Sequence, residues 1–141
     1  MKVLRDLLSL ALLASGLLGT QILATDKWLW TAAPTHAYGL VAFVIIDLAL
    51  AALATIRMRL TSAVGGIISV AQFGAMLADI VSGQPSGVAA FAFRSYLLSD
   101  SSYIGLLIIQ IMILILATGT LAYPFVQHHP RLATLLHLHR N

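Results

Sequence analysis

Apolar positions in this chain run in long unbroken blocks, with the polar residues collected between them. Four blocks, residues 7–24, 35–56, 62–82 and 103–126, are each long enough for a membrane helix. A bilayer core of about 30 Å needs roughly 20 apolar residues in helical form. The blocks carry plausible ends. Lys2 and Arg5 precede the first, and DKWLWTAAP separates it from the second, with Pro34 suited to a first helical position. Arg57, Met58 and Arg59 follow the second, SGQPSG ends the third, and Pro124 and Pro130 are expected to stop the fourth.

Residues 83–102 are too apolar for a freely solvated loop. The pattern predicts a short interfacial segment over 84–100, lying along the outer membrane face above the bundle. The tail, residues 127–141, is rich in histidine and leucine and reads as a cytoplasmic amphipathic end.

Composition agrees with this pattern. Of 141 residues, 60% are hydrophobic and 9% charged, and mean hydropathy is +0.94. A soluble domain carries about a quarter charged residues. The expected fold class is therefore an all-α integral membrane protein: a single four-helix transmembrane bundle of up-down topology.

The net charge of +3 is spread over the flanks of the apolar blocks, so it reads as an orientation signal and not as a nucleic-acid surface. With the N-terminus in the cytoplasm, Lys2, Arg5, Arg57, Arg59, Arg131 and Arg140 fall inside, and only Lys27 and Arg94 fall outside. Both termini are thus expected to be cytoplasmic, in a multi-pass protein of the cell membrane. Trp28, Trp30 and Tyr38 form an outer aromatic belt, and Tyr123 lies at the inner interface. Residues 1–24 have the layout of a signal peptide, but ILA before Thr25 is a poor cleavage site, so retention as the first span is expected. Cysteine is absent, which excludes disulfides, thiolate zinc sites and iron–sulfur clusters.

Small residues predict where the helices meet. Ala11, Ser15 and Gly19 recur at four-residue spacing, as do Gly65 with Ser69 and Ala71 with Ala75.

The polar residues within the spans carry the candidate chemistry. Asp47 follows His36 by eleven residues, so the two share a helix face, about 20° apart and about 16 Å apart in depth. On the next span Gly65, Ser69, Gln72, Met76 and Asp79 share one face. Counting depth, Asp47 is level with Gln72 near the midplane, His36 is level with Asp79 near the outer surface, and Gln110 lies between these tiers. A carboxylate at the bilayer centre costs about 2.5–3.5 kcal/mol on insertion scales. Asp47 is therefore expected to face the bundle and to find Gln72 or a helix hydroxyl, with proton uptake cheaper than a dry ionised state. Its role is read either as structural glue or as a proton, cation or ligand site in a cavity opening past His36 and Asp79.

His128, His129, His137 and His139 form a dense but weak metal-ligand pattern, since no carboxylate accompanies them. A b-type haem would need two ligands at one depth, which leaves His36 with Met76. No catalytic residues emerge, because no nucleophile–base spacing or nucleotide-binding motif is present.

Three functional readings follow. The leading one is a non-catalytic accessory subunit of a larger membrane complex, partnered by lipid and by other membrane subunits or its own copies. The second is a small ion- or proton-coupled transporter or ligand-binding protein using Asp47. The third is a haem- or quinone-binding redox protein using His36.

Overall fold

A computed structural model describes residues 2–82 and 90–128, with side chains at 2–81 and 94–124. The described residues form six helices and no strand: α1 Lys2–Thr25, α2 Lys27–Ala32, α3 Pro34–Ala54, α4 Met58–Ser82, α5 Ala90–Ser99 and α6 Ser101–His128. Four of these, α1, α3, α4 and α6, are long and apolar enough to cross a membrane. They correspond to the four apolar blocks.

The connections carry structure of their own, and one helix end differs from expectation. The DKWLWTAAP connection contains α2, whose first turn is capped by Asp26, with Leu29 N–H donating to its carboxylate at 2.9 Å. Pro124 does not stop α6, which continues to His128. A proline costs its helix one backbone hydrogen bond, and membrane helices tolerate the loss where side chains and neighbours satisfy the freed groups. The expected interfacial segment 84–100 is described only from residue 90, as α5; its earlier part and residues 129–141 lie outside the described residues.

Around the bundle, α1 packs between α3 and α6, and α4 closes the ring against α6 and, most loosely of the four neighbouring pairs, against α3. The tight α1–α3 contact rests on glycine. A Cβ on Gly16 would stand 2.5 Å from Leu48 Cδ2, and one on Gly19 would stand 2.5 Å from Val44 Cγ2. Without water to expel between helices, such close approach supplies much of the packing energy. The predicted stripe Ala11, Ser15, Gly19 is buried, as are Gly65 and Ser69. Ala71 and Ala75 are exposed and do not form a contact face, because α4 turns its Gly65–Ser69–Gln72 side inward.

The interior has two apolar clusters. One gathers Leu8, Leu12, Leu50 and Ile113; the other gathers Ile22, Ala37, Leu40 and Leu106 with Leu29 of α2 and Leu97 of α5. Because α2 and α5 lie at the second cluster, that end of the bundle is capped. Arg94 of α5 binds the last turn of α4, donating to the carbonyls of Ile80 and Val81 at 2.6 Å each. A cation on the unpaired carbonyls of a helix C-terminus is favoured by hydrogen bonding and by the helix dipole.

Candidate functional site

Between the two apolar clusters lies one polar layer, and it joins all four long helices. Ser69 of α4 donates to Gln110 Oε1 of α6 at 2.6 Å and also lies 2.9 Å from the Gln110 carbonyl. Gln110 Nε2 donates to Ser15 Oγ of α1 at 2.8 Å. Ser15 Oγ donates in turn to Asp47 Oδ2 of α3 at 2.5 Å. Each of the four is at most 2% exposed. The donors all point the same way along this chain and converge on the Asp47 carboxyl group. Hydrogen bonds aligned in this manner polarise and strengthen one another in a low-dielectric interior.

Asp47 therefore finds a helix hydroxyl, one of the two partners anticipated, but that hydroxyl comes from α1. Gln110 sits at the centre of the layer. Gln72, expected level with Asp47, is buried at 3% exposure, yet its Oε1 has no hydrogen-bond partner among the described residues.

Gln72 instead faces a cavity of about 230 Å³ between α3 and α4, on the capped side of the polar layer. Leu40 and Phe43 of α3, Met76 of α4, and Tyr103 and Leu106 of α6 form its walls, while Leu29 and Leu97 contribute from the cap. His36 and Asp79 also line it, with His36 Nε2 3.1 Å from Asp79 Oδ1. This is the pair that depth counting brings together. Gln72 lies two helical turns, or about 10 Å, from Asp79 along α4. The cavity thus carries polar groups at both ends and apolar surface between them.

Above it, Asp26 joins α2 to α5 and α6. Tyr103 donates to Asp26 Oδ2 at 2.8 Å, and Tyr96 of α5 donates to the same oxygen. The Tyr96 ring packs on Trp28 with centroids 4.2 Å apart. Nothing in the sequence pattern points to Asp26 and these two tyrosines as partners. They are 70 and 77 residues apart in the chain, and no periodicity joins them.

Other candidates fare differently. Met76 and His36 both face the cavity, but the His36 ring nitrogens are engaged, Nε2 with Asp79 and Nδ1 3.4 Å from Thr35 Oγ1. Ligation of a haem by His36 would require one of these contacts to break. His128 closes α6, and His129, His137 and His139 lie outside the described residues. No group of three potential metal ligands occurs among the described residues. A second buried oxygen, Thr61 Oγ1, lacks a partner among the described residues but does not line the cavity.

Comparison of the chain with family models, with curated protein sequences and with solved structures gave no match.

Proposed function

We propose that this protein is an integral membrane protein that binds a small ligand in the cavity between α3 and α4. One observation carries the reading: Gln72 places a buried amide oxygen, without a hydrogen-bond partner among the described residues, on the wall of a mostly apolar cavity. A buried acceptor left without a partner costs about 1–3 kcal/mol. Such a cost is retained where something other than the chain meets it. Small-molecule sites have this composition, apolar walls with a few placed polar groups.

On this reading Asp47 is a positioning residue. Ser69 lies one turn from Gln72, and Asp47 one turn from Phe43, so the polar layer fixes the floor of the cavity. On this reading the His36–Asp79 end faces outward, which the excess of Lys and Arg at the opposite ends of the spans supports. His36 and Asp79 hold each other at the rim.

The absence of cysteine makes a direct test available. Gly39 lines the cavity, and a Cβ there meets nothing within 4 Å. Gly39→Cys in detergent-purified protein should react with a maleimide, and added lipid extract from the source cells should slow that reaction several-fold. Gly74→Cys, on open surface of α4, is the control and should not be protected. Equal rates with and without extract at Gly39→Cys would remove the reading.

A second reading, as a subunit of a larger membrane complex, is favoured by α4. It is the least covered of the four long helices, and Ser62, Gly66 and Thr118 line a shallow groove between it and α6 where another helix could approach closely. Stoichiometric co-migration of other subunits in mild detergent is its test.

A further inference from the structure

We infer that the cavity selects an uncharged, mostly apolar molecule bearing a hydroxyl group, an alcohol or phenol, with the hydroxyl bound at Gln72. The inference rests on the cavity being a ligand site and adds the chemistry of what enters it.

Three observations define that chemistry. The unpartnered atom is an acceptor, so the ligand must bring a donor hydrogen to Gln72 Oε1. A hydroxyl can also accept from the amide nitrogen of the same side chain, so it matches both ends of the amide. Charge is disfavoured, because the walls beside Gln72 are Leu40, Phe43, Met76 and Leu106, and His36 and Asp79 at the rim are already engaged with each other. An ionised group beside Gln72 would be desolvated without a counter-ion. Size follows from volume. An apolar cavity of about 150 Å³ accommodates benzene, so about 230 Å³ holds an aromatic ring with a short chain. The distance of about 10 Å from Gln72 to the rim lets that chain run toward His36.

The probes are 4-pentylphenol and 4-pentyltoluene, which differ by a hydroxyl in place of a methyl group. Binding to the full chain in detergent is read as the concentration giving half the maximal rise in Tm. The phenol should act at about five- to tenfold lower concentration than the toluene, the discrimination expected of one hydrogen bond in a dry site. Gln72→Leu should bring the two probes within about twofold of each other. Gly39→Leu, which fills the cavity from α3, should abolish the effect of both. Ala75→Leu, from the facing wall on α4, supplies the same blockade should Gly39→Leu fail to fold.

The outcomes separate the two claims. If wild type binds both probes equally and the blocking variants abolish binding, the cavity stands and the hydroxyl selection is overturned. Discrimination that persists in Gln72→Leu also overturns it. If neither probe binds wild type, or binding ignores both blocking variants, the cavity reading falls with it.

Discussion

Ser15 and Asp47 are 32 residues apart in sequence and 2.5 Å apart across the α1–α3 contact, where the serine hydroxyl donates to the carboxyl oxygen. The contact explains how a helix as apolar as α3 carries an aspartate at its middle. The hydroxyl that meets it comes from the helix whose glycines, Gly16 and Gly19, follow Ser15 and allow close approach to α3. The same serine accepts from Gln110, so the aspartate is held by a chain of bonds that reaches α4.

Ser15→Ala removes two links of this chain at once. It should destabilise the bundle by about 1–2 kcal/mol, toward the upper end of membrane hydrogen-bond values. Asp47→Asn keeps an oxygen for the serine hydroxyl and should stay within about 0.5 kcal/mol of wild type. Reversible unfolding in mixed micelles measures both. A large loss of stability in Asp47→Asn would mean that the carboxyl group, and not merely an acceptor, is required.

Gly19→Ala brings a methyl group against Val44, whose branched side chain cannot turn aside cheaply. The α1–α3 contact must open, at a cost of about 1–3 kcal/mol. Gly74→Ala, with nothing within 4 Å of the added Cβ, should be neutral or slightly stabilising. The difference in unfolding free energy between these two variants checks the packing.

Gln72→Leu exchanges a buried amide, whose oxygen has no hydrogen-bond partner among the described residues, for an apolar side chain of similar size. In ligand-free protein it should raise stability by about 1 kcal/mol. This is an unusual direction for a substitution at a buried position, since most such changes destabilise. Thermal unfolding after exhaustive detergent washing is the appropriate measurement.

Arg94→Ala frees the last carbonyls of α4 and releases α5 from them. The arginine is exposed, so the effect on global stability should be small, below about 1 kcal/mol. Local opening should respond more. Amide hydrogen exchange in α5 should accelerate several-fold, while exchange around Ser15 and Gln110 stays unchanged.

The long helices were legible because apolar block length depends on the bilayer alone. Helical periodicity and depth counting also brought His36 to Asp79, since both residues sit near the ends of adjacent helices where an error of one turn matters little. The same count placed Gln72 level with Asp47 but could not say that Ser15 would reach the aspartate first. That outcome depends on α1 lying closer to α3 than α4 does, a property of glycines on a third helix. Asp26 with Tyr96 and Tyr103 was not legible at all, because these residues meet through chain connections and not through any repeating face. The passage of α6 through Pro124 runs against helix propensity for a related reason. Propensity rules are set by water, and a membrane-type helix has no competing hydration for its remaining hydrogen bonds.

The most direct measurement is native mass spectrometry of the protein released from its own membranes, wild type beside Gly39→Leu. Wild type should carry a discrete small-molecule mass that survives mild activation, and Gly39→Leu, equally folded, should appear bare. Bare wild type, or the same adduct on both proteins, would contradict a ligand held between α3 and α4.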